Sequence, residues 1–120
     1  DMPCPKNIVI NLGFNDIHSD KTAEQVYYDY TEIIVRLKEL FPVAKILLLN
    51  VVAAPGFPAY FDEEARFNAM TAQTAAELGV RLIDVRSAIA AQQANMFYID
   101  NDHINADGYK VVTAMLKDVL

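Results

Sequence analysis

The chain has 120 residues, enough for one domain with its own core and too few for two. Hydrophobic residues make up 53% and charged residues 22%, which excludes a disordered chain, and no apolar run reaches the roughly 20 residues that cross a bilayer. Sixteen acidic against ten basic residues give a net charge of -6, which argues against a nucleic-acid partner and its need for a basic face.

The N-terminal stretch Asp1–Lys6 is not a signal peptide. It reads as a loop leading into a strand, so the protein is expected to start upstream, and no compartment is assigned. Within it Cys4, the single cysteine, excludes an internal disulfide and reads as an incidental loop thiol. Ile8–Leu12 is a short apolar run ending at Gly13, the pattern of a strand buried on both faces. Thr22-Ala23-Glu24-Gln25 fits a capping box, and Val26, Tyr30, Ile33, Leu37 and Leu40 follow at helical spacing, so a helix is expected to about Phe41, where Pro42 ends it. Lys45–Val52 is a second buried strand. The Pro55, Gly56 and Pro58 that follow mark a loop from Ala53 to Tyr60.

A second helix is expected from about Asp62 to Leu78, its acidic first turn favoured by the helix dipole and its end set by Gly79. Val80–Val85 is a third strand, Ser87 to about Gln93 a short helix, and Met96–Asp100 leads to a polar turn. Asn105 can cap a last helix whose apolar face is Tyr109, Val112, Leu116 and Val119. Strands that alternate with helices imply a parallel sheet with right-handed crossovers, in a single domain. Three such strands make a thin sheet, and at least one further strand is expected along each bare edge.

Two polar clusters fall where an open parallel sheet binds ligands, beyond the carboxyl ends of its strands. Gly13-Phe14-Asn15-Asp16 follows the first strand. Its glycine permits a sharp exit, and Asn15 offers an amide that can donate to a developing negative charge; the alternative is an Asx turn or a helix cap. Asp100-Asn101-Asp102-His103 precedes the last helix. A carboxylate three residues ahead of a histidine can accept its ring N–H and leave the other nitrogen as a base, with Asp102 the poorer partner. A capping turn with an exposed histidine, or a metal site on Asp100, Asp102 and His103, would use the same residues, but no further His or Cys has suitable spacing.

Taken together, Gly13-x-Asn15-Asp16 and Asp100-x-x-His103 resemble the third and fifth sequence blocks of the SGNH, or GDSL-like, hydrolases. The run His103-Ile104-Asn105-Ala106-Asp107-Gly108-Tyr109 is similar to that family's approach to its last helix. The resemblance implies a three-layer α/β/α, flavodoxin-like fold, here the C-terminal portion of the domain (residues 1–120) with its N-terminal strands missing. It implies strand order 2-1-3-4-5, in which the Ile8–Leu12 strand is the third and pairs with the missing first. That edge is then expected to hold the upstream segment or a second copy of the chain. By resemblance His103 is the general base, Asp100 its orienting acid and Asn15 an oxyanion-hole donor, with Gly13 and Asp16 supporting the loop. The activity implied is hydrolysis of a carboxylic ester, with no metal or organic cofactor. Acetylated carbohydrates, lipid esters and small acyl esters are the implied substrates, the first slightly preferred.

The family's first-block serine and second-block glycine have no counterpart here. Ser19 lies in a capping stretch and Ser87 follows the third strand, so neither reads as a nucleophile. A non-catalytic scaffold or binding domain that keeps the fold is therefore a second reading. A phosphate-binding module is a third, without a glycine-rich phosphate loop to support it. Among lesser features, His18 reads as an exposed loop histidine rather than one bordering the site. Tyr27, Tyr28 and Tyr30 read as divided between core and surface rather than lining a carbohydrate groove, and Phe57 and Tyr60 as ordinary loop packing rather than substrate contacts.

Overall fold

A computed structural model describes residues 4–93, 95–98 and 100–120. Its elements in chain order are β1 (Asn7–Ile10), α1 (Phe14–Ile17), α2 (Ala23–Leu40), β2 (Lys45–Leu49), α3 (Phe61–Leu78), β3 (Arg81–Ile83), α4 (Val85–Ala90) and α5 (Ala106–Lys117), with a single 3₁₀ turn at Pro58–Tyr60. The strands pair in parallel in the order β1-β2-β3, with Ile8 opposite Ile46 and Leu48 opposite Leu82. Helices cover both faces of this sheet. Ile46 and Leu48 of β2 pack with Val26, Tyr30 and Ile34 of α2 and Phe67 of α3, while Leu49 points the other way, onto Val85 and Val112. Alternation along a strand sends successive side chains to opposite faces, so one apolar strand serves both layers.

Local chemistry sets most boundaries. The Thr22 side chain accepts from the Gln25 N–H while the Gln25 side chain accepts from the Thr22 N–H, completing the capping box that starts α2. Gly79 closes α3 at φ 69°, and the Asn105 side chain accepts from the Gly108 N–H to start α5.

Four expectations need correction. The first strand is not buried on both faces: only Ile10 is buried, whereas Val9 and Leu12 are 42% and 49% exposed. β1 lies at the edge of the sheet, so half of its flank has no neighbour among the described residues. On α2 the buried stripe runs through Ala23, Val26, Tyr30 and Ile34 rather than through Ile33 and Leu40, which are exposed, because a 3.6-residue turn favours Ile34 once Tyr30 faces the sheet. The short helix after β3 begins at Val85, not Ser87, since the Asp84 carboxylate caps it by accepting from the Ser87 N–H. On α5 Tyr109 is 56% exposed and Val112 is the buried member of the expected face. Of the Met96–Asp100 segment, Ile99 lies outside the described residues.

Candidate active site

The turn between Phe97 and Ile104 is built as a tight antiparallel loop. These two residues form an isolated bridge, the Tyr98 N–H donates to the His103 carbonyl at 2.8 Å, and the Asn105 N–H donates to the Met96 carbonyl at 2.8 Å. Asn101 takes the left-handed conformation at φ 55°, which asparagine tolerates better than most residues. Gly108 lets the start of α5 lie against this loop, since a Cβ there would collide with the Ile104 Cγ2. The 53–57 loop braces the other side through the Gly56 N–H, which donates to the Asn101 carbonyl at 3.1 Å.

Within the turn, Asp100 folds back on His103. One carboxylate oxygen meets the ring Nδ1 at 2.8 Å, and the other accepts from the backbone N–H groups of Asp102 and His103 at 2.9 and 3.2 Å. These hydrogen bonds, the His103 ring first, hold the Asp100 carboxyl down at about 2. The same Asp100 bond, followed by the charges of Asp100 and Asp102, raises the His103 imidazole above its ordinary value. Asp102 Oδ2 stands farther off, 3.8 Å from Nδ1, while its Oδ1 is buried without a hydrogen-bond partner among the described residues. With Nδ1 occupied by Asp100, Nε2 is the nitrogen left for a reacting proton.

Asn15 reaches the same place from the other end of the sheet rim. Gly13 ends the β1 exit at φ 108°, in the left-handed region that favours glycine, and a Cβ on it would lie 2.8 Å from the Phe67 ring. The chain then makes the single turn α1, which buries Ile17 and leaves Asn15 and Asp16 exposed. A cavity of about 210 Å³ opens beyond the carboxyl ends of β1 and β2. Asn15, His103 and Asp102 supply part of its polar lining, while Phe14, Val52 and Tyr109 are among its apolar walls. Asp16 faces away, toward Lys21 at 3.5 Å. No group of three or more His, Cys, Asp or Glu side chains among the described residues is arranged to hold a metal ion.

Both serines are engaged locally. The Ser19 hydroxyl donates to the Asn15 carbonyl at 2.8 Å, and the Ser87 hydroxyl donates to the Asp84 carboxylate at 2.7 Å. His18, expected on an exposed loop, is instead largely enclosed. Its ring stacks between Phe14 and Tyr60, with centroids 4.0 and 4.4 Å away, and Phe57 meets it edge-on at 5.3 Å. Its Nε2 lies 2.9 Å from Glu64 Oε2, a carboxylate with no exposed side-chain surface. Arg86 approaches the other oxygen of Glu64 at 3.5 Å and donates to the Val51 carbonyl at 3.1 Å. The sequence carries no local sign of this buried polar group, because its residues lie far apart in the chain; a glutamate on the sheet side of a helix is the one hint.

The model of the GDSL-like lipase/acylhydrolase family matches residues 3–111, and the chain belongs to that family. No curated protein matches the sequence significantly. Among solved structures, the chain is similar to a member of the lipolytic protein G-D-S-L family from Veillonella parvula, at 19% identity and a TM-score of 0.79, covering 100% of this chain and 66% of that one. A GDSL-like lipase from Bacteroides thetaiotaomicron aligns at 18% identity and a TM-score of 0.77, over 96% of this chain and 62% of that one. The OSK domain of Drosophila Oskar aligns at 18% identity and a TM-score of 0.75, over 100% and 64%. At such identities the likeness shows the fold, and the chain spans roughly two thirds of each structure or slightly less.

Proposed function

We propose that this chain is the C-terminal portion of a serine-dependent ester hydrolase and supplies the base, its orienting acid and an oxyanion donor. The observation that carries the reading is the Asp100–His103 pair at 2.8 Å, opening on the same cavity as Asn15. In this mechanism a serine oxygen attacks the ester carbonyl carbon as its proton passes to His103 Nε2. The Asn15 amide then donates to the oxyanion that forms. Collapse expels the alcohol with the proton from His103, and water, deprotonated by the same nitrogen, releases the acid. Asp100 holds the ring in register and stabilises the imidazolium. The serine comes from a segment outside this chain, one that also pairs with the open flank of β1. Small acyl esters, including acetyl groups on carbohydrates, suit a cavity of about 210 Å³.

The second reading is a non-catalytic member of the fold, favoured by the engagement of both Ser19 and Ser87 in local hydrogen bonds. Expressing the chain together with its native upstream sequence separates the two. A fluorophosphonate probe should label one serine upstream of Asp1, short p-nitrophenyl esters should be hydrolysed, and both signals should fall by about 10³-fold or more in His103→Ala. An unlabelled, inactive protein supports the scaffold. Rapid hydrolysis by the 120-residue chain alone, lost in Ser19→Ala or Ser87→Ala, overturns the assignment of an external nucleophile.

A further inference from the structure

We propose that Glu64, acting through His18, is a positioning residue for Asn15: the buried carboxylate clamps the far end of α1 and so fixes where the Asn15 amide stands in the cavity. The inference rests on the role assigned to Asn15 above.

A four-residue helix is far below the length that holds itself together in water, so α1 must be placed by tertiary contacts. It also lacks a side-chain cap, because its N-cap is Gly13. Two anchors remain. At its start, Gly13 lies against the Phe67 ring, closely enough to exclude any larger residue. At its end, His18 is pinned in three directions, by stacking between Phe14 and Tyr60 and by its bond to Glu64 at 2.9 Å. Glu64 and Phe67 stand three apart on α3 and therefore share one face of it. Asn15 lies between the anchors, with no hydrophobic burial of its own to hold it.

A surface ion pair would not be placed like this. Glu64 has no exposed side-chain surface, so its carboxyl group is taken from water and set between His18 and Arg86. Arg86 in turn donates to the Val51 carbonyl, two residues past the end of β2, and to the Phe61 carbonyl at the start of α3. The cluster thus ties α1 to the strand ends that form the cavity floor. An oxyanion donor acts only within a few tenths of an ångström of its proper place, and a misplacement of about 1 Å can cost on the order of 10²-fold in rate.

The test uses the full protein with its native upstream sequence, in the variants His18→Phe, Glu64→Leu and Glu64→Gln, each alone and combined with Asn15→Ala. His18→Phe keeps the stack and loses the bond; Glu64→Gln keeps an acceptor for His18. His18→Phe and Glu64→Leu should lower kcat by about 10- to 100-fold with KM changed by less than about twofold, and Glu64→Gln should recover most of the loss. In the Asn15→Ala background the same substitutions should cost nothing more, since their effect passes through the missing amide. The Asn15 side-chain amide resonances should also shift in His18→Phe. Additive losses in the double variants, or unmoved Asn15 resonances, overturn the proposal. The resonance readout holds whether or not an ester is hydrolysed, so a failure of the hydrolase reading shows separately, as a parent protein without turnover. If Glu64→Leu does not fold, His18→Phe and Glu64→Gln decide the matter.

Discussion

Two histidine–carboxylate pairs with nearly the same bond length stand on this chain. His103 and Asp100 meet at 2.8 Å with side chains 70% and 48% exposed; His18 and Glu64 meet at 2.9 Å with side chains 12% and 0% exposed. Surroundings, not distance, separate what the two can do. The ring of His18 is covered on both faces by aromatic side chains and its Nε2 is already bonded, so it offers little to a substrate. His103 has its Nδ1 held and its ring open to the cavity, the arrangement a general base needs. The buried pair holds α1 in place, and the exposed pair leaves one ring nitrogen open for the proposed chemistry.

Breaking each pair should therefore move different observables. The largest effect expected is on rate: in the full protein His103→Ala should lower kcat/KM for a short acyl ester by about 10³-fold or more, with little change in the thermal midpoint. Asp100→Asn should cost somewhat less, about 10²- to 10³-fold, because the ring keeps its place in the turn while losing its orienting charge. Asp102→Asn should cost less than about fivefold, since its nearer oxygen stands 3.8 Å from Nδ1. A loss in Asp102→Asn equal to that in Asp100→Asn would reverse the order of the two acids. Glu64→Ala should differ from these by adding a loss of stability to its loss of rate. Removing one partner of a buried pair leaves Arg86 without its counter-charge and His18 without its bond, costing about 3 kcal/mol, or roughly 10 °C in the midpoint for a domain of this size. Thermal denaturation followed by circular dichroism measures it, and an unchanged midpoint would show that the cluster is dispensable to the fold.

The two pairs also differ in how far the sequence betrays them. Asp100-x-x-His103 is local, so spacing alone brings the groups within reach, and the capping residues Thr22, Gln25, Gly79 and Asn105 are legible for the same reason. The parallel sheet and its helical layers follow from apolar periodicity. What could not be read depends on long-range packing. Glu64 lies 46 residues from His18 and 22 from Arg86. The choice of Ile34 over Ile33 depends on the direction from which the sheet meets α2. Leu12 looked like core in an apolar run because exposure is set by the neighbour beside the strand, and a run of hydrophobic residues does not say whether that neighbour is there. α1 is not legible in the sequence, since one helical turn has no period to detect.

The smallest effect expected concerns pH, and it sets stability against activity within the exposed pair. The folded Asp100 carboxyl lies at about 2, below the ordinary carboxylate value, so its stabilising bond is present above about pH 4 and is lost as pH falls toward 2. The folded His103 imidazole lies above its ordinary value of about 6.5, so its contribution is complete below that pH and is lost as pH rises through the raised value. The pair thus grips hardest between about pH 4 and 6.5, where His103 is an imidazolium and has no lone pair for a substrate proton. Activity should rise on the alkaline side of that window, with the acid limb of kcat/KM above 6.5. Asp100→Asn should move the limb downward, toward the unperturbed histidine, and should flatten the small dependence of the thermal midpoint on pH between 5 and 8. Because both side chains are largely in water, salt should weaken the shift as well. Titrating the His103 ring resonances by NMR at low and high salt measures this directly. A His103 titration at or below 6.5 in the parent chain, unchanged in Asp100→Asn, would mean that the bond to Asp100 does not persist in solution, and the assignment of Asp100 as the orienting acid would fall with it.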